Sequence, residues 1–155
     1  MILNQNNDAF ARIEAMAPRT PGGNYVPFKQ VGELVYLSGQ TNSRDGKLTQ
    51  TGQVGVEVSI EDGYAGARVC MENLFGTLKL AVGGDWSRVL ECVRLTGYVN
   101  SVAPFGQGPA VINGASDLVV ELMGEAGRHA RSAVGVAALP GNASVEVEAI
   151  FRIKT

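Results

Sequence analysis

The chain has 155 residues, of which 45% are hydrophobic, and it carries a net charge of −2. This size and composition are typical of one globular domain with its own core, and they exclude disorder and a fold that depends on disulfides. The pI near 5.4 without a Lys/Arg cluster argues against nucleic-acid binding, and no apolar run approaches the about 18 residues that a membrane span requires.

The N-terminal third predicts a short helix followed by a hairpin. Apolar residues at helical spacing near Phe10 predict a helix that ends near Pro18, inside an N-terminal extension of residues 1–21. The pair Gly32-Glu33 separates two apolar runs and is typical of a tight turn between strands. Because the run 34–37 is continuously apolar, we expect this second strand to be buried on both faces.

The middle of the chain predicts two helices with a strand between them. An apolar stripe over residues 60–82 predicts a long helix, which Gly83-Gly84 would end by adopting the left-handed conformation. Residues 89–99 are rich in β-branched side chains and predict a strand. A second helix is expected from about Pro109, since proline favours the first turn of a helix.

The last third predicts two strands, over residues 132–139 and 145–153. In the second strand, apolar side chains alternate with charged ones, so one face should pack against the helices. Strands and helices do not alternate regularly along the chain. We therefore expect an α+β fold, with one mixed sheet and two long helices on one face, in a single domain over residues 1–155.

The composition also limits the chemistry and the environment of the protein. The chain has one histidine and two cysteines, too few to build a metal site from these residues alone, so we expect no metal. Free cysteines and a polar N-terminus without a signal-peptide pattern predict a cytoplasmic protein. Charged residues make up 18% of the chain, against about 25% in a typical protein, and this shortfall predicts that a partner subunit covers part of the surface.

Three charged residues near the C-terminus are the candidates for a functional site. Glu146 and Glu148 should point away from the core, where they either face solvent or line a cleft or subunit contact. Arg131 precedes the other terminal strand, and a guanidinium grips a carboxylate with two parallel hydrogen bonds. If these two strands pair, Arg131 and a glutamate would meet, either in one site or in a simple salt bridge. We interpret His129 as a bystander, with tuning of the pocket as the alternative.

The sequence resembles the RidA/YjgF family over roughly residues 22–153. The stretch 129–132 (His-Ala-Arg-Ser), the pair Leu139-Pro140 and the stretch 145–150 (Val-Glu-Val-Glu-Ala-Ile) match the family's C-terminal signature in order and spacing. The stretch 37–40 (Leu-Ser-Gly-Gln) is similar to the family's Ser-Gly-Gln motif. The start of the long helix at 64–68 is similar to the family's Gln-Ala-Arg motif.

The resemblance implies a chorismate-mutase-like α+β fold, a homotrimer with clefts between subunits, and no cofactor. It implies hydrolysis of reactive enamine and imine intermediates to a 2-oxo acid and ammonia. Arg131 would bind the carboxylate of the small-molecule substrate, and Glu146 would hold the attacking water. The other residues that the resemblance places in the pocket are Tyr25, Ser38, Gly39, Asn113 and Ala133.

Several positions depart from the family's pattern. Ala133 stands where well-known members often have cysteine, and Gly135 where a charged residue is frequent. The loop 105–108 and the N-terminal extension are additional. These departures indicate a longer, less characterised branch, and they leave open the alternative of a non-catalytic trimer that binds a small carboxylate or has a regulatory role.

Overall fold

The computed structural model describes residues 3–17 and 19–155. Its helices are α1 (Asp8–Ala15), α2 (Ile60–Ala81) and α3 (Gly108–Met123). Its strands are β1 (Phe28–Val31), β2 (Leu34–Thr41), β3 (Ser43–Arg44), β4 (Lys47–Leu48), β5 (Val89–Asn100), β6 (Ala130–Val136) and β7 (Val145–Ile153).

The main sheet has five strands in the order β1-β2-β7-β5-β6. All of its neighbours are antiparallel except β5 and β6, which are parallel. The fold is therefore α+β with a mixed sheet, as predicted. The short strands β3 and β4 form a separate hairpin around the positive-φ pair Asp45 and Gly46.

Helices α2 and α3 pack against one face of the sheet and against each other. Ser59 caps α2 by accepting a hydrogen bond from the backbone N–H of Asp62, and Gly83 and Gly84 end it with positive φ angles. Where the helices cross, Gly114 of α3 lies so close to the backbone carbonyl of Tyr64 that a Cβ atom would collide with it. This contact sets the position of α3, and with it the polar side chains that α3 carries toward β6.

The short helix α1 packs on α2 through an aromatic cluster. Phe10 and Phe75 both contact the ring of Trp86, whose indole N–H donates to a carboxylate oxygen of Glu14 at 2.6 Å. The N-terminal helix of the sequence prediction is therefore present. Pro18, where the sequence predicts that this helix ends, lies outside the described residues, and the structure ends α1 at Ala15.

Strand β7 alternates as the sequence predicts: its apolar side chains are buried under the helices, while Glu146 and Glu148 point to the open face of the sheet. Within the single chain, the expectation that residues 34–37 are covered on both faces is not met. Val35 and Leu37 are buried, but Tyr36 is 43% exposed on the open face. A continuous apolar run indicated two covered faces, whereas the helices cover only one face of this strand.

Across the described ranges 3–17 and 19–155, none of the helices combines the length and the apolar character that crossing a membrane requires.

The α2–α3 contact yields the first prediction. Replacing Gly114 with alanine places a Cβ atom against the backbone oxygen of Tyr64, which cannot move without shifting α2. We expect Gly114→Ala to lower the free energy of unfolding by about 1–3 kcal/mol, as overpacking does elsewhere. Urea denaturation measures the change. Gly106→Ala, at a position where a Cβ meets no atom within 4 Å, is the matched control and should leave stability unchanged.

Candidate functional site

Glu146 lies near the start of β7 and is half-buried. It faces Thr41 of β2 and Tyr98 of β5, and β2 has a register shift between Leu37 and Gln40 beside it. The shift brings Gly39 against the Glu146 carboxylate so closely that a side chain at position 39 would occupy the carboxylate's place. Burial, and then the neighbouring charge of Glu148, raise the pKa of Glu146. A carboxylate with a raised pKa is a better proton acceptor, so this group can act as a general base.

Glu146 forms part of the wall of a cavity of about 280 Å³. The sheet contributes one side of this cavity, and the segment after residue 18 contributes the other. The lining residues are Arg19, Thr20, Pro21, Tyr25, Pro27, Gly39, Gln40, Thr41, Pro140 and Glu146. The guanidinium of Arg19 donates to Ser43 Oγ and to the Ser43 carbonyl, both at 2.9 Å, and thereby fastens this segment to β3.

Arg131 lies on the edge strand β6, and its side chain runs along α3. One guanidinium nitrogen donates to Asn113 Oδ1 at 2.8 Å and to Ser116 Oγ at 3.1 Å, and the other donates to the carbonyl of Pro109 at 3.4 Å. All of these acceptors are uncharged. Among the residues that the structure describes, Arg131 forms no ion pair with a carboxylate. The salt-bridge alternative is therefore not realised there, and the guanidinium retains its charge for an anion.

The sheet keeps Arg131 and Glu146 apart within one chain. The sequence hypothesis needed β6 and β7 to pair, but β5 lies between them. Arg131 pairs with Leu95, which pairs with Ala149, three residues along β7 from Glu146. Two strand spacings and three residues separate the two positions by about 14 Å. Leu95 and Ala149 are buried under the helices, so Arg131 lies on the helix face while Glu146 points to the open face.

The remaining residues that the resemblance selects divide between these two locations. Tyr25 and Gly39 line the cavity with Glu146. Asn113 contacts Arg131 directly, and Ala133 packs on the same helix face of β6. Ser38 is outside the cavity lining, and its hydroxyl donates to the carbonyl of Val26 at 2.7 Å, which ties the preceding loop to β2. Their roles toward a substrate stay predictions.

Sequence reasoning missed two polar residues that the structure brings to these locations, Arg19 and Ser116, and it interpreted His129 as a bystander. Arg19 lies in the segment that the sequence indicates only as an extension, and no pattern connected it with Glu146. Ser116 and His129 are bonded to each other at 2.9 Å beside Arg131. Ser116 follows Asn113 by three residues on α3, so helical spacing alone places both on one face and was a usable signal.

The described parts of the chain contain no cluster of three or more His, Cys, Asp or Glu residues that could hold a metal ion. Both cysteines are buried and free. Burial raises the pKa of Cys92 to about 12 and raises that of Cys70 well above its usual value, so both remain thiols at neutral pH.

Comparisons with known proteins agree with the fold. Residues 10–151 match the family described as "YjgF/chorismate_mutase-like, putative endoribonuclease". Protein TCP17 of Trypanosoma cruzi is 40% identical over 142 residues, covering 91% of this chain and 88% of that protein. A 2-iminobutanoate/2-iminopropanoate deaminase of Dermatophagoides farinae is 31% identical over 140 residues, covering 90% and 92%. The crystal structure of Atu1372 from Agrobacterium tumefaciens is 42% identical with a TM-score of 0.85, covering 95% and 92%.

The contact between Gly39 and Glu146 yields the second prediction. In Gly39→Ala the new methyl group takes the place of the carboxylate, which can move because it ends a flexible side chain. We expect a crystal structure of the variant to show Glu146 in another rotamer, with a melting temperature within a few degrees of the wild type. Gly22→Ala, where a Cβ meets no atom within 4 Å, should leave Glu146 in place. An unmoved carboxylate in Gly39→Ala would contradict the assigned contact.

Proposed function

The chain belongs to the YjgF/chorismate mutase-like family, and we propose that it hydrolyses 2-imino acids, with their enamine tautomers, to 2-oxo acids and ammonia. The relative from Dermatophagoides farinae bears the name of this activity. An imine carbon next to a carboxylate is already electrophilic, so the reaction needs a bound substrate and a placed water more than it needs a strong nucleophile.

The observation that supports this proposal most is the state of Arg131. Its guanidinium is fixed by uncharged acceptors and has no carboxylate partner among the described residues. A fixed and uncompensated guanidinium suits a planar carboxylate, which accepts two parallel hydrogen bonds. Arg131 binds the carboxylate of the imino acid and thereby orients its C=N bond.

Glu146 supplies the base. Its carboxylate takes a proton from a water molecule as the water oxygen bonds to the imine carbon, and the electrons of the C=N bond move to nitrogen. The nitrogen takes this proton back from Glu146 and a second proton from a water molecule. The hydroxide that remains removes the proton of the new hydroxyl group, so that the C=O bond forms as the C–N bond breaks. Ammonia leaves, and Glu146 returns to its charged form. The raised pKa of Glu146 brings the base closer to neutral pH, which favours the proton transfer.

The separation of the two groups leads to a site shared by two chains. Arg131 of one subunit would enter the cleft beside Glu146 of the next, in a homotrimer whose sheets turn their open faces inward. That face bears exposed apolar side chains in the single chain, including Tyr36 at 43% and Val134 at 45% exposure. Burying such side chains favours association, because apolar surface leaves water.

The second candidate is a trimer that binds a small carboxylate without turnover. Ala133, which packs on the helix face beside Arg131, supports this candidate, because it contributes no polar group where well-known members often have cysteine. Ribonuclease activity, which appears in the family's description, is disfavoured by the charge of the chain. The open face presents Glu146 and Glu148, which repel phosphate, and the net charge is −2.

The test of the proposal is the third prediction. An amino-acid oxidase generates 2-iminobutanoate in situ. Semicarbazide traps the imine that remains, and the amount of trapped product measures how fast the imine decays. We expect the wild-type protein to accelerate the decay and Arg131→Ala to lose at least about 100-fold of that acceleration, since an unanchored substrate is badly placed for attack.

Arg128→Ala is the matched control, because Arg128 is exposed and pairs with Glu125 three residues earlier. Arg128→Ala should accelerate the decay of the imine as much as the wild-type protein does. An Arg131→Ala variant as fast as the wild type would remove this residue from the mechanism. A wild-type protein that binds 2-oxobutanoate without accelerating the decay would support the binding candidate instead.

A further inference from the structure

Arg131 depends on a hydroxyl group whose direction is set by a second side chain. The guanidinium donates to Ser116 Oγ at 3.1 Å, so the oxygen must turn a lone pair toward Arg131. The Ser116 hydrogen then needs an acceptor elsewhere. His129 Nε2 lies 2.9 Å from the same oxygen and provides one.

The tautomer of His129 follows from its other contact. Nδ1 lies 2.6 Å from the backbone carbonyl of Gly127. A carbonyl oxygen only accepts, so Nδ1 carries the hydrogen and Nε2 of the neutral ring has a lone pair. The hydrogen bonds therefore run in one direction, with Ser116 donating to His129 and Arg131 donating to Ser116. His129 also directly precedes β6, so this series of hydrogen bonds joins the start of β6 to α3.

We propose that His129 is a positioning residue that, through Ser116, holds the Arg131 guanidinium in the orientation that receives the substrate carboxylate. This inference rests on the proposed function and deepens it. Reversal of the Ser116 hydroxyl would point its hydrogen at the guanidinium and break the bond. A fixed arginine also binds an anion better than a mobile one, because less side-chain freedom is lost on binding.

The surroundings of His129 keep its ring neutral, as this role requires. Burial lowers the pKa of His129, the Gly127 carbonyl opposes this effect, and the nearby charge of Arg131 lowers the pKa further. A protonated ring would turn Nε2 into a donor and would place a second positive charge beside the guanidinium. At neutral pH the acceptor that Ser116 needs is therefore present.

The experiment measures affinity and turnover separately. Calorimetry gives the Kd for 2-oxobutanoate, and the imine-decay assay gives kcat and KM. We expect Ser116→Ala and His129→Leu each to raise Kd and KM about tenfold, the effect of losing one hydrogen bond to a charged group, with kcat within twofold of the wild type. His129→Gln should restore most of the affinity, because its amide oxygen can accept from Ser116 where Nε2 did.

A spectroscopic measurement checks the tautomer directly. The chain contains one histidine, so the imidazole signals of ¹⁵N-labelled protein belong to His129 without further assignment. We expect the Nδ1–H tautomer at neutral pH, and a shift of the Nε2 signal when 2-oxobutanoate binds. Ser116→Ala should abolish that shift, whereas Ser87→Ala, whose hydroxyl donates to Asp85 in a distant turn, should retain it.

The outcomes separate this inference from the proposed function. Wild-type protein that neither binds 2-oxobutanoate nor hydrolyses the imine overturns the proposed function, and the positioning role with it. Wild-type binding together with an unchanged Kd in His129→Leu overturns the positioning role alone. So does a fall in kcat without a change in KM, or a His129→Gln variant as weak as His129→Leu. Melting temperatures near the wild type confirm that each variant is folded.

Discussion

The alternation of side chains across the sheet is the constraint on which the rest of the structure depends. Successive residues of a strand point to opposite faces, and paired residues of neighbouring strands share a face. The ladder from Arg131 through Leu95 to Ala149 therefore fixes Arg131 on the helix face and Glu146 on the open face. No rotamer change brings the two groups together, because the sheet itself lies between them. A single site that uses both groups has to be completed by a second chain.

The two groups of the proposed shared site have different surroundings. Glu146 lies against the backbone of Gly39, which has no side chain, in a cavity whose other side is the segment that Arg19 fastens to β3. Its environment raises its proton affinity through burial and Glu148. Arg131 instead lies on a polar helix surface, where uncharged acceptors fix it without neutralising it. In the proposed mechanism, the surroundings of Glu146 favour proton transfer and those of Arg131 favour the recognition of an anion.

The sequence predicts the parts of the fold that periodicity controls. The apolar stripe of α2 and the alternation in β7 each repeat over many residues, so their positions and buried faces agree with the structure. The sequence does not predict which strands pair in the sheet, because pairing depends on contacts between segments that are distant in the sequence. Because β6 and β7 are neighbours in the sequence, the site hypothesis considered them as a pair. In the sheet, β5 lies between them. The hydrogen bonds that link His129, Ser116 and Arg131 likewise depend on how α3 lies against β6. The Gly114 contact sets this placement, and no local sequence pattern predicts it.

Subunit complementation tests the shared site most directly. Arg131→Ala and Glu146→Gln proteins are each expected to be inactive, and the two are unfolded together in equal amounts and refolded. If Arg131 and Glu146 act across a trimer contact, every mixed trimer keeps one intact site, and about a quarter of the wild-type activity returns. If the two residues act within one chain, no mixed trimer has an intact site, and an inactive mixture would contradict the account.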